Sequence, residues 1–181
     1  MMTEIAAGLE IGALAPVSPQ MLGVDGRTHT VDEFGDAEVL VVVFIGNGCP
    51  TVRAYEDRLK RLHEKYLEKG VQIVAVNSNN PHLSPFDTHA EMVARAREAG
   101  LPFPYLKDED GSLASAFGAV STPHAFVFDG DRRLRYRGRI DDARIPESVT
   151  RHDVDEALGA LLEGGRPPVE ATDPFGCSII W

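Results

Sequence analysis

The spacing of hydrophobic residues changes in the middle of the chain, and this change marks the central elements. Residues 39–45, Val-Leu-Val-Val-Val-Phe-Ile, form a continuous β-branched and aromatic run, which predicts a strand buried on both faces. After a glycine-containing turn at 46–48, a helix is predicted to begin at Pro50 and to end before Gly70. Its apolar positions recur at steps of three and four and are Val52, Tyr55, Leu59, Leu62 and Tyr66. Cys49 therefore joins the end of a core strand to the start of an amphipathic helix.

The remaining pattern predicts an α/β protein. A hairpin is expected around Asp25-Gly26, since this pair favours tight two-residue turns between strands. The later predicted elements are a buried strand at 71–77, a helix at 89–99, a short edge strand within 101–106, a helix at 112–117, a second hairpin over 124–138 and a helix at 153–162. This order predicts a mixed sheet covered by helices on both faces, with a β-hairpin extension at the N-terminal side.

The chain has the length of one domain, with an extra segment at each end. Residues 1–20 have weak periodicity and are predicted to form an arm, whereas 21–163 form the domain. Residues 164–181 form a tail that ends in Ile179, Ile180 and Trp181. Because these side chains are strongly apolar, we expect the tail to pack on its own subunit or on a neighbouring one. A homodimer is therefore one expectation.

Composition narrows the class of protein. The 181 residues carry 18 Lys and Arg against 28 Asp and Glu, a formal net charge of −10, which argues against nucleic acid or an anionic membrane surface as a partner. The sequence contains no long uninterrupted apolar stretch, and its first residues lack the positive charge of a signal peptide. Two cysteines, Cys49 and Cys177, are too few for a disulfide scaffold. We therefore expect a cytoplasmic protein with free thiols.

The position of Cys49 predicts a reactive thiol. Unpaired N–H groups at a helix start carry partial positive charge, which stabilises a thiolate and should lower the pKa of Cys49. Arg53, one helical turn later, adds a second favourable charge. The alternative is that Cys49 is a small buried hydrophobic residue without chemistry.

Several motifs together resemble a known family. The strand that ends in Gly-Asn-Gly-Cys49 and the later pair Thr122-Pro123 resemble the nucleophilic cysteine and the cis-proline loop of a thioredoxin-like fold. Residues 47–59 resemble the C-N-x-C-P and A-Y-E-D-R-L motifs of peroxiredoxin-like redoxins in the alkyl hydroperoxide reductase/thiol-specific antioxidant superfamily. The segments 136–142 and 176–179 are similar to the same group. The resemblance covers 19–181 and implies a thioredoxin-like mixed sheet flanked by helices.

The chain also departs from the pattern of that family. Gly46 stands where the family usually has the first cysteine of C-x-x-C, and Ser121 stands where a second cysteine is common before the Thr-Pro pair. Gly46 also replaces the Thr of the peroxidatic motif, and Pro123 lies near the place where true peroxiredoxins have an Arg. The resemblance therefore implies an atypical active site with a single local cysteine.

The expected function is that of a thiol-dependent oxidoreductase. Cys49 would attack a disulfide sulfur or a peroxide oxygen, and the resulting adduct would need a second thiol, from Cys177 or from an external thiol reductant. The missing peroxidatic Thr and Arg, together with Pro123, favour disulfide exchange, while peroxide reduction stays open. The alternative is a non-catalytic binding module that has kept the fold and lost its redox pair.

Two residues have roles that the sequence leaves open. Cys177 either fills space in a docked tail or resolves oxidised Cys49, as C-terminal cysteines do in some peroxiredoxins. His124 either pairs with Cys49 or points away from it, because side chains alternate along a strand. Thr122, Pro123 and Arg53 are predicted to support the nucleophile. The histidines and cysteines show no metal-ligand spacing and no phosphate loop is present, so we predict no metal and no cofactor.

Overall fold

The elements of the structure follow the hydrophobic pattern closely. The computed structural model describes residues 8–181, so the first seven residues of the predicted arm lie outside the described part. Its strands are β1 (Met21–Gly23), β2 (Thr28–His29), β3 (Val39–Phe44), β4 (Val71–Asn77), β5 (Tyr105–Lys107), β6 (Ser121–Thr122), β7 (His124–Phe128), β8 (Leu134–Gly138) and β9 (Cys177–Ser178). Its α-helices are α1 (Pro50–Tyr66), α2 (His89–Ala99), α3 (Ser112–Phe117) and α4 (Asp153–Leu162), and single 3-10 turns cover Val31–Phe34, Leu67–Lys69, Pro85–Asp87 and Pro146–Ser148.

Seven of the strands form one mixed sheet, as the sequence predicts. Their order is β2-β1-β5-β4-β3-β7-β8, in which β3, β4 and β5 are parallel neighbours and the other pairs are antiparallel. The N-terminal hairpin is confirmed by the pairing of Met21 with His29. The two remaining strands, β6 and β9, form a separate two-stranded ladder.

The prediction that the strand within 101–106 lies at an edge of the sheet is wrong. β5 lies between β1 and β4, because Leu22 in the N-terminal hairpin pairs with Lys107. Pro102 and Pro104 precede the paired residues, so neither proline removes a hydrogen-bond donor from the ladder.

Side-chain alternation along β3 divides the core into two layers. Val39, Val41 and Val43 pack on the face that is covered by α1, α2 and α4. The other face carries Leu40, Val42 and Phe44 and is covered by α3, by the N-terminal segment and by Ile179 of the tail. Because both faces are covered, every residue of β3 is buried, which explains why the strand reads as an uninterrupted apolar run.

The tail 164–181 lies along the domain for most of its length. It first joins the outer strand β8, where the Arg137 N–H donates to the Glu170 carbonyl over 3.0 Å. The ring of Phe175 then lies edge-on to Tyr55, with 6.2 Å between the ring centroids. Ile179 is buried as expected, but Trp181 keeps 55% of its surface exposed. The boundaries of arm, domain and tail stay predictions.

Candidate active site

The sulfur of Cys49 lies at the start of α1, where the sequence places it. Cys49 is the N-cap residue, and Pro50 occupies the first helical position, where a missing N–H costs nothing. The Val52 N–H donates to the Cys49 sulfur over 3.4 Å, so one of the unpaired donors at the helix start is directed at the thiol. The Cys49 residue is only 4% exposed. Reactants therefore reach this sulfur through a narrow opening or after a local movement.

The tail brings the second cysteine directly to the first. β9 pairs antiparallel with β6, so that Cys177 is the register partner of Thr122. Thr122 in turn lies against Cys49, whose thiol donates to the Thr122 carbonyl over 3.4 Å. The Cys177 thiol lies near enough to the Cys49 sulfur for each group to shift the pKa of the other, and both cysteines are free thiols. The site therefore contains two neighbouring thiols, although the local sequence around Cys49 contains one.

The two thiols differ in acidity. Burial raises the pKa of Cys49, but hydrogen bonds from the Cys177 thiol, the Thr122 hydroxyl and the Val52 N–H together lower it below its usual value. Burial also raises the pKa of Cys177, and the neighbouring Cys49 sulfur raises it further. As pH rises, Cys49 therefore loses its proton first, and Cys177 remains a thiol that donates to it. Cys49 is therefore the more acidic of the two thiols, as a nucleophile beside a resolving thiol would have to be.

The supporting residues Thr122 and Pro123 lie at the site. The peptide bond between them is cis, and Thr122 is 2% exposed. Gly176 in the tail packs so closely on this loop that a Cβ at its position would lie 2.0 Å from the Thr122 carbonyl oxygen. Its φ of 145° is also one that other residues rarely adopt, so both space and backbone require glycine here.

Arg53 lies near the site, but it contacts the backbone of Asn47 and not the Cys49 sulfur. Its Nε donates to the Asn47 carbonyl over 3.0 Å, which fixes the turn before Cys49. The groups that shift the pKa of Cys49 are its own burial, Cys177, Thr122 and Val52, and they do not include Arg53. A supporting role for Arg53 stays a prediction, and in this structure it acts on the turn.

A buried polar cluster that the sequence reasoning missed holds the turn from the other side. The Asp87 carboxyl is 1% exposed and accepts from the Asn47 N–H over 2.8 Å. It also accepts from Asn77 Nδ2 over 2.8 Å, from Asn79 Nδ2 over 3.2 Å and from Ser84 Oγ. Four buried donors therefore converge on this one side chain.

The same cluster is connected to the tail. Asn79 Oδ1 accepts from the Ile180 N–H over 2.9 Å, and the Asn80 N–H donates to the Ile180 carbonyl over 2.7 Å. The run of polar residues 77–80 directly after the buried strand β4 is the signal that could have indicated this cluster. Because β3 and β4 are parallel, their carboxyl ends meet at the same edge, where open α/β sheets place their sites.

His124 does not face Cys49. It lies two residues before Phe126 on the same side of β7, and the two rings lie 4.5 Å apart on the face of the sheet opposite to the one that Cys49 joins. Burial, with a smaller contribution from the charge of Arg137, lowers the pKa of His124 to about 4. Its Nδ1 accepts from the Val120 N–H over 3.4 Å. His124 is therefore a neutral core histidine, and the Cys–His pair does not form.

Residues 8–181 show neither a metal cluster nor a membrane-spanning helix. This part of the chain contains no group of three or more His, Cys, Asp or Glu that could hold a metal ion. None of the helices in the same range combines the length and the apolar character that a membrane span requires.

The fold and the site define the class of protein. A mixed sheet flanked by helices, with a cysteine that opens α1 beside the loop of Thr122 and Pro123, is a thioredoxin-like arrangement. Residues 10–158 match the family model described as Redoxin, which is most of the chain. The chain therefore belongs to the redoxin family.

The chain is also similar to other proteins in sequence or in structure. The crystal structure of an uncharacterized conserved protein from Geobacillus kaustophilus is 37% identical, with a TM-score of 0.90 over 96% of this chain and 93% of that chain. A hypothetical protein from Sinorhizobium meliloti 1021 is 35% identical, with a TM-score of 0.89 over 97% and 96%. The thiol-disulfide oxidoreductase ResA of Bacillus thuringiensis subsp. konkukian (strain 97-27) is 25% identical over 126 residues, 70% of this chain and 68% of that protein.

Proposed function

We propose that this protein is a thiol-dependent oxidoreductase in which Cys49 is the nucleophile and Cys177 is the resolving thiol. The observation that carries the proposal is the strand pairing that places Cys177 opposite Thr122, whose carbonyl accepts from the Cys49 thiol over 3.4 Å. Membership in the redoxin family and the similarity to a thiol-disulfide oxidoreductase support the same class of reaction. A non-catalytic module has no need for a second thiol that a tail strand holds against the first.

The first step is attack by the Cys49 thiolate. With a disulfide RS–SR′, the Cys49 sulfur forms a new bond to one sulfur and the other leaves as a thiolate. With a hydroperoxide, the Cys49 sulfur bonds to the outer oxygen and becomes a sulfenic acid, the O–O bond breaks, and the alkoxide that leaves takes a proton from water to become an alcohol. In both cases the oxidant gains two electrons and Cys49 is oxidised.

The second step is attack by Cys177 on the Cys49 sulfur. A disulfide forms between the two cysteines, and the leaving group departs with the Cys177 proton as a thiol or as water. The two sulfurs must approach to a bond length of about 2.05 Å, so the tail has to shift toward Cys49 as the disulfide forms. An external thiol reductant then returns both cysteines to thiols and is itself oxidised to a disulfide.

Between the two oxidants, disulfide exchange is the first choice because Gly46 and Pro123 replace the peroxidatic Thr and Arg. Hydroperoxide reduction, which would make the protein an antioxidant enzyme, is the second. A cytoplasmic location is also part of the proposal, since two free thiols suit a reducing compartment. A homodimer is proposed as well, because Trp181 remains half exposed, and light scattering measures it directly.

The experiment that tests the proposal is peptide mass mapping after one equivalent of hydrogen peroxide or of a small disulfide. We expect a linked pair of peptides containing Cys49 and Cys177. The Cys177→Ser variant should instead accumulate a sulfenic acid or a mixed disulfide on Cys49. Full thiol-dependent turnover by Cys49→Ser would refute the proposal. A stable adduct on Cys49 beside a free Cys177 in the parent protein would remove Cys177 from the mechanism.

A further inference from the structure

The backbone edge beside Cys49 is occupied by the tail of the same chain. β6 is the strand next to the nucleophile, and within residues 8–181 its ladder partner is β9. Ser121 pairs with Ser178, and Thr122 pairs with Cys177. The Ile179 N–H continues this contact by donating to the Val120 carbonyl over 3.1 Å. The tail therefore takes the hydrogen bonds that this edge can offer.

An occupied edge matters because extended peptides commonly bind by adding a strand to an exposed edge. A protein disulfide that used β6 to present its sulfur to Cys49 would have to occupy the place of β9. Cys177 already holds the position opposite Thr122 where such a substrate cysteine would lie. In addition, Cys49 is 4% exposed, so a folded partner cannot approach its sulfur while the tail is in place.

The tail is held at three points beyond the strand pairing. Gly176 packs against the Thr122 carbonyl, where no larger residue fits. Ile179 is 4% exposed and lies in the apolar layer with α3. The Ile180 N–H donates to Asn79 Oδ1 over 2.9 Å, and the Ile180 carbonyl accepts from the Asn80 N–H over 2.7 Å. The tail is therefore a docked element of the fold.

We propose that residues 176–181 act as a built-in strand that restricts Cys49 to small oxidants, namely hydroperoxides and low-molecular-weight disulfides, and excludes protein disulfides. This inference rests on the proposed function, because it assumes a nucleophilic Cys49. The tail thus has two roles, since the strand that supplies the resolving thiol also determines which substrates reach the nucleophile. Protein disulfides gain access only when the strand is displaced.

The test compares two probes that share a leaving group. One is the mixed disulfide of glutathione and thionitrobenzoate, and the other is a small folded protein whose single surface cysteine carries the same thionitrobenzoate cap. Attack by Cys49 on either probe releases coloured thionitrobenzoate and leaves a mixed disulfide on the enzyme. The measurements use the full chain with Cys177→Ser, so that each reaction stops at the Cys49 adduct and resolution does not affect the rate.

Two variants of this Cys177→Ser parent chain release the tail. Ile179→Glu places a charge in the apolar layer, and Gly176→Ala places a methyl group against the Thr122 carbonyl. The second variant keeps the test valid if the first does not fold. Ser178→Ala is the matched control, since the Ser178 side chain is exposed and its backbone pairing is unaffected. Circular dichroism checks the fold, and Trp181 fluorescence anisotropy reports release of the tail.

We expect the parent and Ser178→Ala to react with the glutathione probe at least one hundred times faster than with the protein probe. Release of the tail should raise the rate with the protein probe at least tenfold and change the rate with the glutathione probe less than threefold. Similar rates for both probes in the parent, or an equal rise for both on release, would overturn the inference. If Cys49 reacts with neither probe in any variant, the proposed function itself fails.

Discussion

Restoring a side chain at Gly46 should loosen the tail, although Gly46 and the tail are far apart in sequence. A Cβ at Gly46 would lie 2.5 Å from Asn79 Nδ2, whereas ordinary contacts begin at 3.4 Å. Gly46 does not have a positive φ, so its backbone accepts alanine or cysteine, and the effect of either is steric. The Asn79 side chain must therefore move by about 1 Å.

The cost of that movement follows from the contacts of Asn79. Its Nδ2 donates to Asp87 over 3.2 Å, and its Oδ1 accepts from the Ile180 N–H over 2.9 Å. A buried hydrogen bond contributes about 1 kcal/mol when it joins neutral groups and about 1.5–3 kcal/mol when one group is charged. Loss of both bonds should lower the free energy of unfolding by about 2.5–4 kcal/mol. Because Ile180 loses its anchor, the end of the tail should also become mobile.

Urea unfolding of Gly46→Ala, of Gly46→Cys and of the unsubstituted protein measures the free energy of unfolding of each. The two variants share the Cβ and differ in the thiol, so alanine isolates the steric effect. Trp181 is the only tryptophan in the chain, and its emission and anisotropy report the state of the tail. We expect equal destabilisation in both variants and a lower anisotropy of Trp181 before unfolding begins.

Two results would contradict the reasoning. If the free energy of unfolding of Gly46→Ala lies within about 0.5 kcal/mol of that of the unsubstituted protein, and Trp181 anisotropy is unchanged, then Asn79 moves without losing its partners. Destabilisation only in Gly46→Cys would assign the effect to the thiol and not to the contact.

Three further predictions concern the site and the core. Cys177→Ala removes a donor from the Cys49 sulfur, so the midpoint of the alkylation rate of Cys49 against pH should move to higher pH. His124 has a pKa of about 4 in the folded protein and of about 6.5 in the unfolded chain. The free energy of unfolding should therefore fall by up to about 3 kcal/mol as pH falls from about 6.5 to about 4. His124→Gln should make the free energy of unfolding depend less on pH in this range. Asp87→Ala leaves four buried donors without their acceptor and should lower the free energy of unfolding by about 3 kcal/mol or more.

Each of these predictions has a distinct contrary result. An unchanged midpoint in Cys177→Ala would mean that the helix start and Thr122 alone set the acidity of Cys49. A parallel pH slope in His124→Gln would transfer the dependence to other groups. A loss below about 1 kcal/mol in Asp87→Ala would mean that water replaces the missing carboxyl.

The sequence by itself determined the elements with strong local patterns. The continuous apolar run of β3, the three- and four-residue spacing in α1 and the glycine after it are sufficient to place Cys49 at a helix start. The helices predicted at 89–99 and 153–162 lie at the same positions in the structure. These predictions succeed because each depends on residues within one or two turns of each other, and such local preferences agree with the final packing.

Only the tertiary structure decided which distant residues meet. β9 is two residues long and has no periodicity of its own, and Cys177 reaches Thr122 across 55 positions of sequence. Pairing of this kind depends on the whole fold bringing two backbone edges together, so no local pattern indicates it.

The same reason explains why the place of β5 inside the sheet was not evident, since its neighbour β1 comes from the N-terminal hairpin. The sequence determined one local thiol, Cys49, at the start of a helix. The fold decided that the site has two, because a strand added from the tail places the second thiol beside the first.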